Sequence, residues 1–393
     1  MNDRTPYIVT LFLGFAGSGF VQKHLGLLGV IGYLLIIVGV VWFALRFGKY
    51  LHAWIRKYFR FIAPLCAVIT VSMFAVLNPW EDGKGPGKSS DRDEGLNMAV
   101  ERIMHGETPY YPQNSVAGPL SLLPGAIVIA APFVALGDSG YQNVFWISIF
   151  FALAAWHFRD RIVAFSWLML ILFLSPAVAY EYISGGDLIA NGIYVPLSLA
   201  LAIHAWGKPE SSKWLKVVVC LFVGVCLTSR SNLPFLVPLF AAAIWRVAGV
   251  KSAIVASVMT SSVIILLTVP IYLHDPAGFT PLISRKKLAL VDHAIPHMSW
   301  YLVAITAVVG TVVAIKLLRR SDEVLEAVFR YGALVMIAPM IGLVLLHSAV
   351  SGHLEFGLML DRFGLLFLFF AVLGWGKNLF GYSAVFSYSP DKK

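Results

Sequence analysis

Two aspartates and a glutamate stand together in Asp91-Arg92-Asp93-Glu94. A carboxylate there can take the proton from an attacking hydroxyl, because partial burial lifts its pKa toward the working range. Further along lie Asp187, after Gly185-Gly186, and Arg230, in Thr228-Ser229-Arg230-Ser231-Asn232 with no acid near it in sequence. A forked guanidinium with no acidic neighbour suits a phosphate. Arg285 and Lys286, next to Lys287, offer further cations. A carboxylate of this kind and cations of this kind could serve proton transfer and anion binding. Asp91, Asp93 and Asp187 also offer hard oxygen ligands, so a magnesium or manganese ion is chemically allowed. Plainer roles compete. Asp91 and Asp93 can cap a helix, and Asp187 can cap the apolar run after it. Arg230 can snorkel to lipid head groups, and Arg285 and Lys286 can grip anionic lipid. His293, His297, His347 and His353 show no metal-ligand spacing.

The elements that must position these groups are membrane helices. Of 393 residues, 59% are apolar and only 13% charged, about half the charge of a soluble domain, and the mean hydropathy is +0.78. This excludes soluble, disordered and fibrous classes. The apolar runs are continuous, so a membrane barrel with alternating strands is excluded too. The net charge of +9 resides in short connectors, as the positive-inside rule requires of cytoplasmic loops, and implies no nucleic-acid partner. Cys66, Cys220 and Cys226 lie in apolar runs and read as buried thiols.

The runs fall at 7–20, 25–45, 60–77, 118–137, 143–157, 162–180, 188–206, 214–229, 232–247, 252–273, 299–317, 329–348 and 361–376. The first two read as a retained hairpin, and 46–60, with five basic residues and no acid, as a cytoplasmic loop. The loop 78–117 is then outside, and it carries seven of the chain's 21 acids. Basic segments 207–216 and 316–330 read as inside, which puts Glu181–Asp187, Arg230 and the loop 274–298 outside. Three runs separate Asp91 from Asp187, yet both are outside, so one of the three does not cross. Pro119, Pro124 and Pro132 single out 118–137. The expected fold is all-α: a polytopic transmembrane bundle of about 12 spans forming one integral-membrane domain. Its first large extracytoplasmic loop carries juxtamembrane helices.

Within that loop, Leu96, Val100 and Ile103 share one helical face, ended by Gly106 and Pro109. Trp80, Tyr110 and Tyr111 are expected at the membrane interface. Asp91-Arg92-Asp93-Glu94, then a helix, then Gly106-Glu107-Thr108-Pro109-Tyr110, then a proline-containing apolar helix from Pro119, resembles the GT-C superfamily of integral-membrane glycosyltransferases, closest to the bacterial mannosyltransferase-like branches. The resemblance covers residues 60–235; 1–59 read as the hairpin and basic loop, and 236–393 as C-terminal helices that match in span pattern alone.

The resemblance implies inverting transfer of a sugar from a polyprenyl-phosphate donor to a glycan or glycolipid acceptor at the outer face of the plasma membrane. The general base would be Asp93 or Asp91. Asp187, Glu94, Tyr110, Tyr111, Arg230, Arg285 and Lys286 would bind substrate, with membrane lipid around the site. Many enzymes of this class need no metal, and no cofactor is assigned. A transporter or flippase, and a polymerase or ligase of lipid-linked glycans, are the competing readings. The first should show paired broken helices in two related halves, and the second a large loop late in the chain.

Overall fold

The computed structural model describes residues 5–83, 92–111, 119–283, 292, 295–319, 323–356 and 364–380. Among them every regular element is a helix. The first, α1 (Thr5–Arg46), is two arms joined at Gly26, whose φ of 66° and ψ of −169° belong to no helix. The arms fold back on one another. Tyr33 Oη donates to the Leu13 carbonyl at 3.1 Å, and a methyl on Gly17 would lie 2.1 Å from that hydroxyl. The adjacent runs 7–20 and 25–45 are thus the expected hairpin.

Helix α2 (Gly48–Asp82) begins well before its apolar run. The basic stretch 46–60 is therefore not a loop but mostly the opening turns of α2. No helix breaker intervenes between Gly48 and Pro64, and Lys49, Arg56, Lys57 and Arg60 keep their charges exposed around buried Ile55. Two short helices follow, α3 (Arg92–Met104) and α4 (Pro124–Val134). Then come α5 (Tyr141–Phe158), α6 (Arg161–Leu174) and α7 (Pro176–Ile183). The run 162–180 is bent: α6 and α7 meet at 85°, because Pro176 opens α7 and Ser175 Oγ caps it, accepting from the Val178 N–H at 3.4 Å. The rest are α8 (Leu188–Gly207), α9 (Lys213–Leu227), α10 (Val237–Ala248), α11 (Val250–His274), α12 (Met298–Arg319), α13 (Val324–Ser351) and α14 (Leu365–Trp375).

Among the described residues, six helices are long and apolar enough to cross a membrane: α1, α2, α8, α11, α12 and α13. The bent pair α6–α7 would make a seventh. Helix α8 is central. Its most apolar stretch is 83% buried, and it packs on α5, α9, α10 and α14. Gly192 lets α14 approach, since a methyl there would sit 2.6 Å from the Phe369 ring. Helices α2 and α11 are only 11% buried over the same kind of stretch, and this apolar surface suits lipid, not water.

The chain runs back and forth between two ends. At one, Gly48 abuts the Phe380 backbone, His52 Nε2 lies 2.9 Å from Asp160 Oδ2, and Trp167 Nε1 donates to the Gly376 carbonyl at 2.6 Å. At the other, Phe20 meets Tyr180 with ring centroids 5.4 Å apart, and α3 and α4 lie against the turns that precede α5, α8 and α10. Helix α4 has only 11 residues, about 16 Å. It starts beside the α9–α10 turn, where Leu123 N–H donates to Ser229 O at 3.0 Å. It leaves through Gly140, whose added methyl would stand 3.1 Å from Gly185 Cα. Both of its ends therefore stay at the same end of the bundle.

Candidate active site

The loop helix α3 has a core of its own. Leu96, Ala99 and Val100 pack with Tyr110, Tyr111, Leu120, Ile127 and Phe279 in a cluster separate from the main one. Ile103, expected on the same face, is exposed. Asp93 and Glu94 occupy the first turn of α3, where acids suit the helix dipole. Gly106, at φ 76°, ends the helix, and Arg102 ties down the next residues with a bond from Nε to Thr108 O at 2.7 Å. Tyr110 Oη donates to Leu122 O at 3.1 Å, and its ring meets Phe279 edge-on at 4.8 Å. Tyr110 and Tyr111 are thus not at an interface. Both are buried, because the loop needs aromatic bulk to make a core. Trp80 is exposed. Thr280 Oγ1 adds a bond to Leu120 O at 2.5 Å, and Gly125 N–H one to Thr228 O at 2.9 Å.

This platform delivers Asp93 into the bundle. Asp93 is 1% exposed. Its carbonyl accepts from Ser139 Oγ at 3.2 Å, and Asn97 Oδ1 accepts from Ser139 N–H at 2.8 Å, fixing α3 to the α4–α5 turn. The Asp93 side chain rests on Gly185: a methyl there would come within 2.6 Å of Asp93 Oδ2. Gly185 has φ 66°, a conformation that favours glycine. Beside Asp93, Arg92 Nη1 donates to Glu181 Oε1 at 3.1 Å. The same oxygen accepts the Leu188 N–H at 3.0 Å, so Glu181 caps α8. That task does not fall to Asp187, whose side chain makes no cap bond.

Asp187 instead holds Arg230. Nη2 donates to Oδ1 at 2.5 Å and to Oδ2 at 2.6 Å, and Nε to Oδ2 at 3.2 Å. Both side chains are buried. The Asn191 amide donates to the Asp187 carbonyl at 2.7 Å and to Oδ2, and Tyr194 Oη donates to Asn191 Oδ1 at 2.5 Å. Burial pushes the Asp187 carboxyl up, but the charges of Arg230 and Arg92 and hydrogen bonds from Arg230 and Asn191 outweigh it, holding it below the usual carboxylate range. The expectation that Arg230 lacks an acidic partner is therefore corrected. Its partner is 43 positions away in sequence, brought in because the start of α8 and the end of α9 meet.

Of the residues predicted from sequence, the structure gathers Asp93, Asp187 and Arg230 at one end of the bundle, near α3. Glu94 is half-buried one residue on, with Oε2 lacking a hydrogen-bond partner among the described residues. Asp91, Arg285 and Lys286 lie outside the described residues. Among the described residues, no three His, Cys, Asp or Glu side chains gather as a metal ion requires. Sequence reasoning underrated Glu181 and passed over Arg92. An acid in an otherwise apolar run was the available signal.

Compared with known proteins, the chain matches no family model, no curated protein and no solved structure. The site's chemistry rests on its own geometry. It holds a buried carboxylate on a loop helix and a second carboxylate bonded to a one-fifth-exposed arginine. A buried aspartate–arginine pair completes it, all at one end of an apolar helical bundle.

Proposed function

We propose that the chain is a membrane glycosyltransferase of GT-C type, moving a sugar from a polyprenyl-phosphate donor to a glycan or glycolipid acceptor at the extracytoplasmic face. The observation that carries this is Asp93, a carboxylate 1% exposed, held by a folded loop platform against the Gly185 turn. In the reaction, Asp93, with Asp91 beside it in sequence, takes the proton from the acceptor hydroxyl. The acceptor oxygen then bonds to the anomeric carbon from the face opposite the phosphate. The bond from that carbon to the phosphate oxygen breaks, and the lipid phosphate leaves with its electron pair. Since Asp187 holds the deeply buried Arg230, the cations for the leaving phosphate are Arg92, which is one-fifth exposed although bonded to Glu181, and, in the loop 274–298, Arg285 and Lys286.

Three features support the reading. Among the described residues, six helices, or seven with the pair α6–α7 taken as one, are long and apolar enough to span a membrane, as a polytopic membrane enzyme needs. Exposed Lys49, Arg56, Lys57 and Arg60 belong to the end opposite the site, as an extracytoplasmic site requires. An apolar groove of about 190 Å³ between α2, α5 and α6 is lined by Ala67, Val71, Ile147, Phe165 and Leu168, with Tyr182 in its wall. One residue separates Tyr182 from Ser184 at the site turn, so an isoprenoid chain in the groove would bring its phosphate toward Asp93.

The test is incubation of the purified protein with a panel of polyprenyl-phosphate sugars and mixed lipid-linked glycan acceptors. Release of polyprenyl phosphate from at least one donor is expected. Intact donors throughout, with transport or polymerisation detected instead, would contradict the reading.

A further inference from the structure

We propose that five buried polar side chains on α5 and at the end of α7 form a subsite for the hydroxyl groups of a sugar ring, organised around Glu181. In naming a sugar this rests on the glycosyl-transfer reading, and it assigns residues that reading does not use.

Gln142 Nε2, Asn143 Oδ1, Trp146 Nε1, Glu181 Oε2 and Ser184 Oγ are all buried, and none has a hydrogen-bond partner among the described residues. Their side chains are at least nine-tenths buried: Trp146 is 7% exposed, Gln142 2%, and the other three 0%. They belong to one junction. Asn143 Nδ2 donates to the Glu181 carbonyl at 3.1 Å. Gln142, Asn143 and Trp146 share the first turns of α5, and Gly140 ahead of them approaches Gly185. Ser184 adjoins Gly185, on which Asp93 rests.

A buried polar group without a partner costs about 1–3 kcal/mol. Five such groups at one junction, beside a core of leucines and phenylalanines, call for an occupant. Their chemistry selects it. Gln142 and Trp146 present donors, Asn143 and Glu181 present acceptors, and Ser184 presents both. A cation would want acceptors alone, and an anion donors alone. A ligand of several hydroxyls both donates and accepts, as this set does. The Trp146 ring, 5.4 Å from the Tyr194 ring, gives the subsite an apolar wall. Helix α3, seated on Ser139 and Gly185, borders the junction and places Asp93 beside it.

Saturation-transfer NMR on the full-length protein in deuterated detergent tests this, with methyl mannoside, methyl glucoside and methyl arabinofuranoside as probes. Wild type should transfer saturation to at least one glycoside. Gln142→Met and Ser184→Ala should each weaken that binding by about tenfold, the loss of about 1.4 kcal/mol. Ser184→Ala deletes only a hydroxyl that lacks a protein partner among the described residues, so it should melt no lower than wild type. No saturation of any glycoside in wild type, or equal saturation in wild type and variants, would overturn the subsite and leave ordered water as its occupant. Glycoside binding without any donor turnover would instead overturn glycosyl transfer and leave the subsite standing.

Discussion

The two ends of the bundle carry charge in opposite ways. At the basic end the charges stand in water: Lys49, Arg56, Lys57 and Arg60 are exposed, and the His52–Asp160 pair is partly so, at 19% and 34%. At the other end Asp93, Glu181, Asp187 and Arg230 are all at most 5% exposed. Exposed charges cost little and orient the chain. Buried ones are expensive even when paired, and a fold with so much apolar material could have avoided them. The contrast teaches that the second end, unlike the first, keeps its acidic and basic side chains out of water at a local cost in stability.

The sharpest way to break the contrast is to cut the buried pair. Asp187→Asn or Arg230→Gln leaves one charge buried and unmatched, which should cost about 3–5 kcal/mol, read as a large fall in melting temperature in detergent. The paired change to two neutral groups should recover much of it. The pH dependence has a definite sign. Because the folded Asp187 carboxyl titrates below its ordinary value, its contribution is fully present above the unfolded pKa of about 4 and is lost only as pH falls through the lower folded value. Melting temperature against pH would detect loss at the wrong side.

A smaller effect should follow at the Gly185 turn. Gly185→Ala places a methyl 2.6 Å from Asp93 Oδ2, so the carboxylate must move. Misplacement by about 1 Å can lower turnover about 100-fold, and donor binding should change far less. Wild-type turnover in a folded Gly185→Ala protein would detach Asp93 from the chemistry. Next, Gly125→Ala would set a methyl 2.1 Å from the Val225 carbonyl oxygen and 2.7 Å from the Thr228 carbonyl carbon. Backbone cannot yield as a side chain can, so α4 should shift at a cost of about 1–3 kcal/mol. The smallest effect belongs to the basic end. His52→Gln removes a part-exposed pair worth at most about 1 kcal/mol, and transfer should be unaffected.

Much of this was legible in the residues. Prolines and loop parity singled out 118–137, the stretch that holds the 11-residue helix α4. Gly106 marked the end of α3, and adjacent apolar runs marked the α1 hairpin. What sequence hid was contact between distant segments. The Asp187–Arg230 pair spans 43 positions, so local inspection found an arginine without an acid. Tyr110 and Tyr111 resembled interfacial residues because their burial depends on Leu120, Leu122 and Leu123 and on Phe279, the last far along the chain. Glu181 looked minor because its cap on Leu188 needs the Gly185-Gly186 turn. The bend at Ser175 was signalled by Pro176, yet a continuous apolar run masked it.

The central claim is that Asp93 is the base of glycosyl transfer, and single-turnover transfer by Asp93→Asn tests it most directly, with Asp91→Asn beside it. The amide keeps the shape but cannot accept the proton, so the Asp93→Asn rate should fall by about 10²–10⁴, with donor binding and melting temperature near wild type. Near wild-type rates in both variants would contradict the claim and leave the two aspartates as caps of a loop helix.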